Sequence, residues 1–188
     1  MKDEGLDLFF QEMADVKPLQ KSNTVVLVKD STVAKQQKLS AHMFAERINQ
    51  LMIDKSRIEM LSVDEPIAGK TSGLQTGVYK NLRLAKYDIE AQLDLTGLSL
   101  KAARFDFVTF IDDCYRANIR CLLIKHGNGK KNGMPLLKSA LKQWLEVYPY
   151  IQAYHSAPLK FGGYGATLVL ISKNERQKLE NREIHKRG

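Results

Sequence analysis

One short stretch of the chain, Lys125-His126-Gly127-Asn128-Gly129-Lys130-Lys131, concentrates an imidazole, two glycines and three ammonium groups. Glycine lets backbone N–H groups approach an anion without a side chain in the way, and lysines add charge that a neutral ligand would not need. Such a loop suits a phosphate. Breaking a phosphodiester needs a base for the attacking oxygen, an acid for the leaving oxygen and positive charge on the phosphoryl group. His126, with an unperturbed pKa of about 6.5, can take either proton-transfer role near neutrality, while Lys125, Lys130 and Lys131 supply charge. Asp94, at the end of an earlier apolar run, can orient that imidazole or hold a water. The alternative is structural: Asp94 caps the helix after it and His126 only anchors its loop. His155 is a weaker second imidazole, because a histidine at a strand end is more often a surface or satisfied residue.

A further glycine-rich loop carries Lys160, Gly162, Gly163, Tyr164 and Gly165. It can come close to the first loop, and Tyr164 can stack on a base, as aromatics do in single-strand binders, or sit partly buried in a turn. Thr96 and Gly97, just after Asp94, add a third set of candidate contacts. Arg104 and Arg116, with Lys138 and Lys142, fall on the polar sides of two expected helices, where they extend a basic footprint or simply solvate the helix. Gly69-Lys70-Thr71 ends like a nucleotide-binding phosphate loop, but Asp64 stands where that loop requires its first glycine, and Pro66 where it needs a donor N–H. A dinucleotide-binding pattern is also missing. The two cysteines, Cys114 and Cys121, fall on apolar faces and form neither a disulfide nor a zinc site in this reading. No cofactor or metal is indicated, although one carboxylate with phosphate oxygens can hold magnesium and its waters.

These residues need a scaffold, and from residue 90 the periodicity supplies it. Gln92–Leu95 reads as a strand stopped by Gly97, and Ser99 as the cap of a helix reaching about Asn118. Leu100, Ala103, Phe107, Phe110, Ile111 and Cys114 make its core stripe. Ile119–Ile124 reads as a buried parallel strand, so the His126 loop sits at its carboxyl end, where open α/β sheets place ligands. Pro135 opens a second helix with Leu137, Ala140, Leu141, Trp144, Leu145 and Tyr148 on one stripe, and Pro149 closes it. Strands at Ile151–His155 and Ala166–Ile171 follow. The expected unit is α/β: a small β-α-β-α-β-β two-layer sandwich with a mixed sheet and helical crossovers.

Earlier segments are less regular. A short amphipathic helix carries Leu6, Phe9, Phe10 and Met13, Thr24–Val28 has strand composition, and Phe44–Met52 fits a helix. The Pro, Gly, Ser and Thr between Ser62 and Gly77 suggest a linker. The expected division is an arm and linker over 1–77, a domain over 78–172 and a basic tail over 173–188. A net charge of +8 across 188 residues points to an anionic partner, and residues 90–172 hold 10 basic against 6 acidic side chains. No run is long and apolar enough to span a bilayer, and no signal-peptide core follows the first residues, so the expectation is a cytoplasmic protein with no membrane partner.

Residues 90–172 resemble the Smr (small MutS-related) domain family through three signatures in order. Leu93-Asp94-Leu95-Thr96-Gly97 stands where the family has Leu-Asp-Leu-His-Gly; His126-Gly127-Asn128-Gly129 matches its His-Gly-x-Gly; and Gly162-Gly163-Tyr164-Gly165-Ala166 matches its Gly-Gly-x-Gly-Ala element. The arm, with Phe9, Asp15, Val16, Pro18 and Leu19, looks like the stand-alone bacterial form, similar to its SmrA branch. This resemblance implies a fold like the C-terminal domain of bacterial translation initiation factor three and an endonuclease acting on DNA or RNA, with Asp94 and His126 catalytic. Its nucleic-acid contacts would be Thr96, Gly97, Lys125, Gly127, Asn128, Gly129, Lys130, Lys131, Lys160, Gly163, Tyr164 and Gly165. Thr96 departs from the pattern, since a hydroxyl binds phosphate but cannot shuttle protons near neutrality. The rival expectation is therefore a module that grips nucleic acid or the ribosome without cleavage. The arm offers a separate surface for a protein or ribosomal partner.

Overall fold

The computed structural model describes residues 31–129 and 135–186. The expected opening helix, the partner-binding arm around Phe9–Leu19 and the strand at Thr24–Val28 lie outside these residues. The chain divides into two units, Met1–Leu39 and Ser40–Gly188. Of the first, residues 31–39 are described and are helical, forming the start of α1 (Ser31–Gln50). No helix among the described residues is long and apolar enough to cross a membrane.

The second unit is built on five strands: β1 (Ala68–Lys70), β2 (Ala91–Asp94), β3 (Cys121–Lys125), β4 (Ile151–Ser156) and β5 (Ala166–Ile171). Their spatial order is β1-β4-β5-β3-β2, with β2 and β3 parallel and the other neighbours antiparallel. A parallel pair needs a long crossover, and α3 (Leu100–Arg116) provides it. Ser99 caps α3 by accepting the Ala102 N–H at 3.2 Å, and Asn118, at φ 59°, follows its end in the left-handed conformation. α4 (Leu136–Val147) links β3 to β4, and β5 then inserts between those two strands.

The two faces of the sheet carry separate cores. Leu95, Leu122, Ile124, Val169 and Ile171 pack against α3 and α4, centred on Phe107, whose ring lies 5.7 Å from Trp144 and 5.4 Å from Tyr148. Leu123, Ala153, Ala166, Leu168 and Leu170 face the other way, toward Val78, Tyr79 and Leu82 of α2 (Thr76–Arg83). The mixed α/β sandwich is as expected, and α2 adds partial cover to its second face. Behind α3, Arg47 of α1 pairs with the buried Asp112 and donates to the Tyr150 hydroxyl at 2.6 Å; Tyr148 donates to Asp112 at 2.6 Å. Tyr115 stacks on Tyr150 at 3.8 Å. The charged end of the chain, expected as a basic tail, forms α5 (Glu175–Lys186), with Asn174 accepting the Gln177 N–H at 2.9 Å.

The linker expected over 62–77 is corrected by β1 and by the path leading into it. Ile58, Leu61 and Ile67 are buried, the Leu61 N–H reaches Ser139 Oγ at 3.0 Å, and Ile67 and Ser156 exchange hydrogen bonds. Turn-forming composition concealed an extended segment whose widely spaced apolar residues cover α4 and the sheet edge, so the compact unit starts well before residue 78. Gly69 is required there, because a Cβ would stand 2.4 Å from the Tyr154 ring. We expect Gly69→Ala to destabilise the fold by about 1–3 kcal/mol, as overpacking does. Urea denaturation checks this, and Tyr154→Leu should recover much of the loss in the double variant.

Candidate functional site

Three loops meet at the carboxyl ends of β2 and β3. The His126 and Gly127 N–H groups both donate to the Gly165 carbonyl, at 3.0 and 2.9 Å, which ties the second and third glycine loops together. A Cβ on Gly127 would lie 3.7 Å from the Thr96 methyl, and one on Gly165 would lie 3.5 Å from the Asn128 nitrogen. The convergence anticipated from the sequence is therefore present. Its chemistry differs from the anticipated phosphate nest, because these two N–H groups are already committed to protein.

Alternation along the strands decides which side chains face outward. Leu122 and Ile124 point to the helical layer, and His126 continues that series; Leu123 and Lys125 point the other way. On β2, Leu93 and Leu95 belong with the helices, and Gln92 and Asp94 have the opposite parity. Asp94 pairs in register with Lys125. The carboxylate and the imidazole expected to act together thus sit on opposite faces of the sheet.

His126 is 4% exposed. Its Nδ1 lies 2.8 Å from the Gly127 carbonyl, which can only accept, and its Nε2 lies 2.9 Å from Thr167 Oγ1. Nδ1 therefore carries the proton, and Nε2 accepts from the threonine hydroxyl. Burial pushes the imidazole pKa down to about 4, with nearby Lys138 acting in the same direction. At neutral pH the ring is uncharged and fully partnered. Thr167, directly after the Gly-Gly-x-Gly-Ala element, is the partner that sequence reasoning missed; the second signature is coupled to the end of the third through this bond.

Asp94 is exposed, and its Oδ1 accepts the Thr96 N–H at 2.8 Å. Hydrogen bonds from Thr96, hydroxyl and N–H, with Lys125 alongside, hold its carboxyl below the usual range. Asp94 thus braces the Thr96-Gly97 turn and does not cap the following helix, whose cap is Ser99. Lys125 and Thr96 line an open groove of about 410 Å³ with Gly127, Lys160, Gly162, Gly165 and, unanticipated, Gln92, Leu123 and Phe161. The Lys160 ammonium lies 4.8 Å from the Phe161 ring centroid. Asn128 and Gly129 continue the His126 loop, Gly97 is exposed, Gly163 is buried, and Tyr164 is 42% exposed beside the groove-lining Gly165. Lys130 and Lys131 lie outside the described residues. Lys138, expected on a solvated helix face, is instead 0% exposed. His155 points its Nδ1 to the Ser156 carbonyl and does not line the groove. Among the described residues no cluster of three or more His, Cys, Asp or Glu could hold a metal.

Because the folded imidazole titrates near pH 4 and the unfolded one near 6.5, the unfolded chain binds the extra proton between these values. The stabilisation from neutral His126 is complete above pH 6.5 and declines by about 3 kcal/mol as pH falls to 4. Denaturation series for the parent and His126→Gln should diverge most at neutral pH and converge in acid. Parallel curves would contradict the buried, neutral assignment.

Comparison with known proteins bears on the family and the fold. The family model of the Smr domain matches residues 93–172. A protein named ribosome rescue factor SmrB from Tolumonas auensis is 31% identical over 175 residues, 93% of this chain and 96% of its own length. A protein of the same name from Escherichia coli O157:H7 is 30% identical over 181 residues, 93% of each chain. The crystal structure of YdaL, a stand-alone small MutS-related protein from Escherichia coli, is similar at a TM-score of 0.59 and 30% identity, covering 65% of this chain and 94% of that one. With a shared domain, relatives matched along nearly their whole length and a matching fold, the chain belongs to the Smr family.

Proposed function

We propose that the protein is an RNA-binding Smr module that works at the ribosome, gripping the RNA backbone in the groove at the carboxyl ends of β2 and β3 without cutting it. The observation that carries this reading is the placement of His126. Its imidazole is buried, neutral and on the far side of the sheet from Asp94, so among the described residues the groove offers ammonium groups, a hydroxyl and amide groups but no side chain that exchanges protons readily near neutrality. Lys125 and Lys160 provide charge for phosphates, and Thr96 provides a hydrogen-bonding hydroxyl. The ribosomal setting is taken from the relatives named as ribosome rescue factors.

Endonucleolytic cleavage is the second reading, and Asp94 is what favours it. An exposed carboxylate kept ionised beside Lys125 is suited to holding a water or a hydrated magnesium against a phosphate. Incubation of the parent and Asp94→Asn with labelled RNA and supercoiled DNA, with and without magnesium, separates the two. Binding without cleavage is expected; cleavage by the parent that Asp94→Asn loses would establish the endonuclease instead. We further expect RNA affinity to fall steeply with salt, and Lys125→Ala and Lys160→Ala each to reduce the log–log salt slope by about 1. A flat salt profile would contradict the basic groove.

A further inference from the structure

A buried ammonium stands behind the exposed aromatic ring of Tyr164 in the third glycine loop. Lys138, in the first turn of α4, is 0% exposed, and its Nζ donates to the Ser62 and Val63 carbonyls at 3.1 and 2.8 Å. The same nitrogen lies 5.5 Å from the centroid of the Tyr164 ring, within cation–π range. Lysine is almost never fully buried unless paired, and here two carbonyls and a ring face share the charge. Burial lowers its pKa, while Glu65 and Asp64 oppose that shift. Tyr164 itself sits in the turn Gly163–Gly165, fixed by the two N–H bonds to the Gly165 carbonyl, and is 42% exposed.

We propose that Tyr164, backed by Lys138, is a stacking platform for an unpaired base, so that the nucleic acid this module prefers is single-stranded. This rests on the RNA-binding reading above and specifies its ligand. A cation against one face of a ring draws electron density from it. A second cation on the outer face, such as an arginine of a protein partner, is then repelled, whereas a neutral π-system stacks well, and an extended, electron-rich purine stacks best. Bases inside a duplex already stack on one another and present no free face. Gly162 and Gly165, on either side of Tyr164 in sequence, line the groove that holds Lys125 and Lys160, while the ring itself lies against Lys138 of α4, so a strand whose phosphates lie in the groove crosses the Gly163–Gly165 turn to bring a base to the ring.

Full-length protein is titrated with a single-stranded oligoribonucleotide carrying 2-aminopurine and with the same sequence annealed to its complement. The parent should favour the single strand and change the 2-aminopurine fluorescence on binding. Tyr164→Leu should lower the single-strand to duplex affinity ratio roughly tenfold and lose the fluorescence change, and Tyr164→Phe should restore both. A folded Lys138→Met protein should show a smaller preference for oligo(A) over oligo(U) than the parent; an unchanged preference removes the ammonium from the account. If the parent binds but Tyr164→Leu keeps the parent's ratio, the platform is wrong and the RNA-binding groove stands. If the parent binds neither strand at low salt, the groove and the platform fall together.

Discussion

Side-chain alternation at the end of β3, locked to β2 by the register of Asp94 with Lys125, governs the chemistry of this edge of the sheet. One residue of slip would exchange the faces, putting an imidazole in the groove and an ammonium in the core. The buried contacts of Leu122 and Ile124 forbid that slip, since both would move from the helical core to the opposite face. Position 126 therefore receives a residue that can be buried with both ring nitrogens satisfied, and position 125 one that tolerates solvent. The glycine loops are organised around this division: Gly165 takes up the N–H groups, Thr167 takes the ring nitrogen, and Thr96 closes against Gly127.

Much of this was legible in the sequence. The stripes of α3 and α4, the Ser99 cap, the strands and the convergence of three glycine motifs all follow from periodicity and motif order, because each depends on local pattern or on a small number of allowed connections. The separation of Asp94 from His126 was not recoverable from residue types. Both occupy strand ends, but which face each side chain takes depends on register between strands that are distant in sequence. Parity within β3 was nonetheless readable: a histidine two residues after Ile124 shares its side, and that cue weakens the expectation of a solvent-facing base. Gln92 follows from the same parity with Asp94.

Other departures come from tertiary cover. Residues 62–77 carry too many turn formers to be read as fixed structure, yet Ile67 among them, with Ile58 and Leu61 just before, finds a surface waiting on α4 and β4. Once that segment is in place, Lys138 cannot reach solvent, and its ammonium is satisfied by the carbonyls of the segment that covers it. The Arg47–Asp112 pair beneath Tyr148 and Tyr150 follows the same logic. Buried pairs of this kind add little net stability relative to a well-packed apolar replacement, but they penalise any packing that leaves one member alone.

The carbonyl of Gly165, accepting two neighbouring N–H groups, has a consequence for how such a protein can diverge. Because that junction uses only main-chain atoms, the side chains of the adjoining turn are released from holding the loops together. Leu159, 91% exposed, and Lys160 project from this turn, supported by backbone hydrogen bonds from Phe161, Gly162 and Gly163. A substitution at either tip residue can therefore change the surface beside the groove while the glycine framework and the concealed histidine stay in place.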